Sequence, residues 1–123
     1  MQHNIKIALI GTGKMGVEYT KVLQHLKLDF TVFGNSKKSC DEFNTKTGVV
    51  ATPGGLNALE SNINSDYNVA INAVSIENLH SVNKILFKKN ISKILLEKPA
   101  ALTPDQFSEL ENITNSNIFI GLN

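Results

Sequence analysis

The sequence contains no tryptophan, one cysteine and three prolines in 123 residues, and all twelve of its basic residues are lysines. A single cysteine, Cys40, excludes an internal disulfide and any cysteine-rich zinc site. Because arginine is absent, phosphate groups must be held by lysine or backbone amides. No apolar run approaches the roughly 20 residues of a membrane span, and the start of the chain does not resemble a signal peptide. We therefore expect a cytoplasmic protein that does not bind membranes.

Neither sign of charge dominates. Twelve lysines face eleven acidic residues, which leaves a net charge of +1. This balance provides no basic face, so we expect no nucleic-acid partner. Hydrophobic residues make up 41% of the chain and charged residues 19%, which is typical of a globular protein. The length is that of one ordinary domain, and we assign residues 1–123 to one.

Short β-branched runs alternate with longer amphipathic stretches along the whole chain. Six strands separated by about five helices favour a parallel sheet, since helices supply the crossovers that parallel strands require. We therefore predict an α/β fold with a doubly wound, mostly parallel, six-stranded sheet of the Rossmann type. The predicted strands are Ile5–Ile10, Phe30–Phe33, Val49–Thr52, Val69–Val74, Lys93–Leu96 and Ile118–Ile120.

Helix boundaries are also readable. Ser36 is a predicted N-cap for a helix through Thr47 that Gly48 ends. Thr103 is the predicted cap of a later helix, with Pro104 at its first position. The first helix has an apolar stripe at helical spacing. That stripe consists of Met15, Tyr19, Val22, Leu23 and Leu26.

A glycine-rich turn joins the first strand to the first helix. Gly11 is expected to allow the tight turn, Gly13 the approach of a pyrophosphate, and Gly16 close packing of the helix on the strand. The helix N-terminus then offers backbone amides to the phosphates. We therefore predict a dinucleotide site here. Its turn residues are Gly11, Thr12, Gly13, Lys14, Met15 and Gly16.

The end of the second strand bears on which dinucleotide is bound. An acidic side chain at this place binds the ribose 2′-hydroxyl of NAD, but Asn35 stands near it here and no carboxylate follows the strand. Ser36, Lys37 and Lys38 come next and suit a 2′-phosphate. The sequence favours NADP over NAD, although two lysines that open a helix are equally consistent with a solvated surface.

Several motifs together resemble the Gfo/Idh/MocA family, the group of glucose–fructose oxidoreductase and inositol dehydrogenase. Besides the glycine turn, the resemblance is carried by residues 75–80 after the fourth strand and residues 97–103 after the fifth. Gly121-Leu122-Asn123 completes the set. The order and spacing match over essentially the whole chain.

The resemblance implies an NAD(P)-binding domain of an oxidoreductase that moves a hydride between the nicotinamide and a sugar, cyclitol or nucleotide-sugar. Lys98 matches the family lysine that assists proton transfer, and Glu97 would lie beside it at the nicotinamide. His80 matches a histidine of the helix after the fourth strand, where a capping or packing role is the simpler interpretation. The segment that would lie under the cofactor is Ala73, Val74 and Ser75.

Two departures from the family pattern stand out. Ser75-Ile76-Glu77 replaces the usual Thr-Pro-Asn, which places a negative charge near the expected cofactor. Family members also carry a substrate domain, usually with the oligomer interface, which we do not find in the 123 residues. We therefore expect cofactor binding without turnover. The alternative from another class is a non-catalytic dinucleotide sensor, against which the Glu97-Lys98 pair argues.

Overall fold

The computed structural model describes residues 5–64, 66–89, 91–96 and 117–120. Within these residues, short strands alternate with helices. The strands are β1 (Ile7–Ile10), β2 (Phe30–Phe33), β3 (Ala51–Thr52), β4 (Val69–Asn72), β5 (Lys93–Leu96) and β6 (Asn117–Ile120). The helices are α1 (Lys14–His25), α2 (Lys37–Thr47), α3 (Gly55–Asn62) and α4 (Ile76–Lys88).

All strand pairs in the sheet are parallel, and their order is β3-β2-β1-β4-β5-β6. The predicted α/β fold with a parallel sheet is confirmed. The chain places β2 and β3 on one side of β1, and then β4, β5 and β6 on the other side. The connections on the two sides therefore diverge between β1 and β4, which leaves a crevice at the carboxyl ends of these strands.

Several strands are shorter than predicted. Ile5 is 47% exposed and lies outside β1, and Val50 is 80% exposed ahead of β3. β4 ends at Asn72, two residues before the predicted end. The apolar runs extend past the ladder because hydrophobicity indicates burial on the sheet, whereas a strand ends where its neighbours stop pairing.

The core lies on both faces of the sheet. Along β1, Ile7 and Leu9 join the cluster on the side of α1 and α2, while Ala8 and Ile10 join the cluster on the side of α3 and α4. This alternation explains the unbroken apolar run, because a strand covered on both faces has no solvent-facing side. On α4, the residues Leu79, Val82 and Leu86 are buried, and Ile85 is partly buried.

The buried face of α1 differs from the predicted stripe. Val22 and Leu26 are 53% and 57% exposed, so assigning them to the inner face is wrong. The other stripe residues face the core: Leu23 is buried, and Met15 and Tyr19 are partly buried against it. Gly16 and Thr20 are also buried. The helix is turned so that Gly16, which has no side chain, lies against the end of β1. Close approach of the Gly16 backbone to Gly11 therefore contributes to the rotation of this helix, together with the apolar residues that face the core.

The capping predictions for α2 are confirmed. The Ser39 amide donates to the Ser36 hydroxyl (3.1 Å), and the Ser36 amide donates to the Ser39 hydroxyl (3.3 Å). Gly48 ends the helix in the left-handed conformation (φ 78°). The predicted helix from Thr103 lies outside the described residues. None of the helices in the described ranges is long and apolar enough to cross a membrane.

Candidate functional site

A cavity of about 490 Å³ opens at the carboxyl edge of the sheet. The glycine turn after β1 forms its centre, the end of β2 forms one side, and the end of β4 forms the other. The start of α3 adds a further wall. The lining residues are Ile10, Gly11, Thr12, Gly13, Lys14, Met15, Phe33, Gly34, Asn35, Ser36, Ser39, Gly55, Leu56, Leu59, Ala73, Val74, Ser75, Asn78 and Val82.

Gly11 and Gly16 hold the turn through backbone contacts. Gly11 has φ 126°, and a Cβ there would lie 2.6 Å from the Ala73 carbonyl oxygen. A Cβ on Gly16 would overlap the Gly11 carbonyl, at 2.0 Å from its oxygen. The Gly11 amide donates to the Phe33 carbonyl (2.9 Å), and the Ala73 amide donates to the Ile10 carbonyl (2.8 Å). These contacts bring the ends of β1, β2 and β4 together at one point.

Gly13 stands in a different environment. A Cβ built on Gly13 would meet no atom of the protein within 4 Å, because the residue faces the open cavity. Gly13 is also the N-cap residue of α1, where no side chain caps the helix and no acidic residue occupies the first turn. The amides of that turn are therefore left to a ligand, and the partial positive charge of the helix end favours an anionic one.

The β2 side of the cavity carries polar groups without a carboxylate. Asn35, Ser36 and Ser39 line it, and the two serine hydroxyls are already engaged in capping α2.

The Cys40 sulfur packs close to Gly34: a Cβ built on Gly34 would lie 2.6 Å from it. Burial raises the pKa of the Cys40 thiol above its ordinary value, against a smaller opposing effect of the hydrogen bond with Ser39. The thiol is therefore a protonated packing group at neutral pH.

Lys37 and Lys38 are exposed at the start of α2 and do not line the cavity. The Lys37 ammonium lies 3.1 Å from the Asp41 carboxylate, in a pair whose side chains are 85% and 67% exposed. Such exposed pairs contribute little and rearrange at small cost. The lysines flank the serines that do line the cavity, so contact with a 2′-phosphate requires their side chains to reorient.

On the β4 side, the cavity is lined by Ala73, Val74 and Ser75, the segment that the resemblance predicts to lie under the cofactor. His80 lies further along α4 and is absent from the lining. Its Nδ1 atom is buried and has no hydrogen-bond partner among the residues that the structure describes. Glu77 is exposed in the first turn of α4 and is also outside the lining. The remaining predicted site residues, Glu97 and Lys98, lie outside the described residues.

One wall was missed from the sequence. Gly55 and Leu56 open α3 and line the cavity, next to the loop after β2. The Gly54 amide donates to the Asn35 carbonyl (3.0 Å) and the Gly55 amide to the Gly34 carbonyl (3.1 Å), which joins the two loops. By residue type alone, the Pro53-Gly54-Gly55 sequence indicates only a break in the chain. Its place directly after a strand was the available signal, since every such loop in a parallel sheet reaches the same edge.

The described cavity wall carries few charged side chains. Lys14 is the one lining residue with a charged side chain among those described, and the lining contains no histidine, aspartate or glutamate. Within the described ranges, no cluster of histidine, cysteine and acidic residues is placed to hold a metal ion. The geometry therefore suits binding of an anionic ligand through amides and hydroxyls, without an acid–base pair in the described wall.

No protein-family model matches the sequence, and no relative is found among curated proteins. Solved structures with the same fold are found at low sequence identity. A Gfo/Idh/MocA family oxidoreductase from Vibrio cholerae superposes with a TM-score of 0.75 at 17% identity, over 95% of this chain and 38% of its own. Biliverdin reductase from Synechocystis, solved with biliverdin and NADP+, has a TM-score of 0.74 at 14% identity, over 96% and 38%.

The WlbA dehydrogenase of Chromobacterium violaceum, solved with NADH and UDP-GlcNAcA, has a TM-score of 0.76 at 14% identity. The match covers 98% of this chain and 35% of that protein. The chain thus spans little more than a third of the length of the structures it matches. Its fold is the one found in these oxidoreductases, which confirms the predicted resemblance at the level of the fold.

Proposed function

We propose that the chain is a nicotinamide-dinucleotide-binding domain of a Gfo/Idh/MocA-type oxidoreductase. The observation that carries this proposal is the open space over Gly13, at an uncapped helix N-terminus between two walls of a 490 Å³ cavity. A pyrophosphate at this point would accept hydrogen bonds from the amides of α1. The adenosine would then lie toward β2 and the nicotinamide toward β4.

The titration that tests the proposal uses NADPH and NADH with the parent chain and a Gly13→Ala variant. A methyl group at Gly13 meets no protein atom but occupies the proposed position of the pyrophosphate. We expect the parent to bind, and Gly13→Ala to weaken binding by more than about tenfold while losing at most about 1 kcal/mol of stability. Calorimetry measures the affinities, and urea unfolding measures the stability.

Gly48→Ala is the matched control, because Gly48 needs its left-handed conformation (φ 78°) and lies outside the cavity lining. It should lose a similar amount of stability, about 1 kcal/mol, and keep the affinity of the parent. Parental affinity in Gly13→Ala would remove the pyrophosphate from this turn. A folded parent that binds neither dinucleotide would overturn the proposal as a whole.

NADP is the proposed cofactor in preference to NAD. Among the described residues, no carboxylate lines the β2 side to repel a 2′-phosphate, and two exposed lysines stand beside it. The double variant Lys37→Ala/Lys38→Ala should weaken NADPH binding by about three- to tenfold, as expected for exposed charge pairs, and leave NADH binding unchanged. Parallel calorimetric titrations at low salt measure the difference.

The control for this prediction removes two lysines elsewhere, in the variant Lys21→Ala/Lys46→Ala. Both residues are exposed and lie outside the cavity lining. The control changes the net charge by the same amount, so it separates local contact from a general electrostatic effect. An equal loss of NADPH affinity in both double variants, or a parent that prefers NADH, would contradict the NADP assignment.

The proposed reaction of the whole enzyme is hydride transfer between the nicotinamide and a sugar-like hydroxyl or ketone. Support comes from the match of Lys98 to the family pattern and from structural neighbours such as the dehydrogenase solved with NADH and UDP-GlcNAcA. The described cavity wall supplies no acid–base pair. The 123 residues are therefore proposed to bind the cofactor without turning over substrate.

A further inference from the structure

Two asparagine side chains are wholly buried beside the cavity. Asn72 is the last residue of β4, Asn83 lies in the middle of α4, and both are 0% exposed. A buried amide is costly unless its hydrogen bonds are satisfied. Asn72 neighbours Ile10 of β1 and Leu96 of β5 in register, so a polar side chain stands where apolar neighbours surround it. Core packing alone does not explain an asparagine at position 72.

The hydrogen bonds of Asn72 join three separate parts of the molecule. Its Nδ2 donates to Asn83 Oδ1 (2.6 Å) and to the Leu79 carbonyl (3.3 Å), both on α4. Its Oδ1 lies 3.5 Å from the Val74 amide, in the segment that forms the cavity wall. One side chain therefore connects the end of β4, the helix and the wall between them.

No side-chain cap holds the start of α4 in place. Ser75 occupies the N-cap position but makes no capping hydrogen bond, and its hydroxyl accepts from the exposed Asn78 side chain instead (3.1 Å). The segment 73–75 is thus not fixed by a helix cap. Two hydrogen bonds hold it: the Ala73 amide donates to the Ile10 carbonyl at the end of β1, and the Val74 amide donates to Asn72 Oδ1.

We propose that Asn72 and Asn83 are positioning residues that hold segment 73–75 in place for the nicotinamide half of the bound dinucleotide. The inference rests on the proposed function. The glycine turn holds the pyrophosphate between the β2 and β4 sides, so a displaced β4 wall affects only the half of the ligand on that side. The adenosine half, held on the β2 side, is independent of the pair.

The test replaces both residues together, in the variant Asn72→Leu/Asn83→Leu. Removing one asparagine leaves the other without its partner, whereas replacing both with apolar groups of similar size is nearly neutral for stability. The double variant should therefore unfold at a urea concentration close to the parent's, and Asn72→Leu alone at a lower one. This separates a loss of stability from a loss of position.

Binding is then measured with ADP, which carries the adenosine and the diphosphate but no nicotinamide half, and with NADPH and NADH. We expect the double variant to bind ADP within twofold of the parent and the preferred dinucleotide about tenfold more weakly, since small misplacements in a site have effects of this size or larger. Parental dinucleotide affinity in a stable double variant would make the pair purely structural. Equal weakening of ADP and dinucleotide would also overturn the inference.

The outcome is distinguishable from a failure of the proposed function. If the folded parent binds neither ADP nor a dinucleotide, the proposed function falls and this inference falls with it. If the parent binds the dinucleotide and the double variant binds it with the same affinity, the proposed function stands and only the positioning role is refuted.

Discussion

Gly13 and Gly16 belong to one turn, yet they are glycines for different reasons. Gly16 is buried against the backbone of Gly11, while Gly13 borders open space. A side chain at Gly16 would conflict with the protein itself. A side chain at Gly13 would meet no protein atom and would conflict only with the proposed ligand. The same residue type therefore serves the fold at Gly16 and, in the proposed function, binding at Gly13.

Gly16→Ala should accordingly reduce the stability of the chain. Its methyl group would meet the Gly11 carbonyl, a backbone group that cannot rotate away, so α1 must move from the strand. We expect a loss of about 1–3 kcal/mol, typical of overpacking, measured as a lower urea midpoint with an unchanged m-value. Gly13→Ala is the reference variant, and equal stability of the two variants would refute this division of roles.

At the scale of the elements, two helices begin at a serine but are held differently. Ser36 and Ser39 exchange hydrogen bonds in a complete capping box on α2, whereas Ser75 makes no capping bond on α4. The sequence predicts Ser36 as an N-cap, whereas Ser75 is identified as one only by the structure. Only the structure shows that the second helix is anchored through Asn72.

Ser36→Ala should therefore destabilise the chain by about 1 kcal/mol, the usual cost of losing an N-cap. Ser75→Ala should cost less than about 0.5 kcal/mol, since only one exposed hydrogen bond disappears. Thermal or urea unfolding of the two variants gives the comparison directly. A loss in Ser75→Ala as large as in Ser36→Ala would mean that the Ser75 hydroxyl does stabilise α4.

The elements also show where sequence patterns stop being informative. Capping residues act locally, so the bounds of α2 follow from Ser36 and Gly48. The face that a helix buries depends on the surface it meets: on α1 Gly16 and Thr20 are buried, whereas Val22 is exposed. Periodicity detects that helix but does not give its rotation.

On the scale of the whole molecule, the order of strands and the glycine turn were enough to predict the sheet and the centre of the cavity. The wall from Gly55 and Leu56 and the pair of Asn72 with Asn83 were not predicted. Both depend on contacts between residues distant in sequence whose types are ordinary in loops and helices. No local pattern distinguishes a buried asparagine from a solvated one before the fold is known.

The division of the cavity wall among four loops also has a consequence for biosynthesis. Its described residues come from the segments after β1, β2, β3 and β4, and Val82 is the last of these along the chain. The hydrogen bonds that join these segments link Gly11 to Phe33, Gly34 to Thr52 and Ala73 to Ile10. A ribosome-bound chain shorter than 82 residues therefore has no complete site. Ligand capture during translation must wait until the first four strands have emerged and paired.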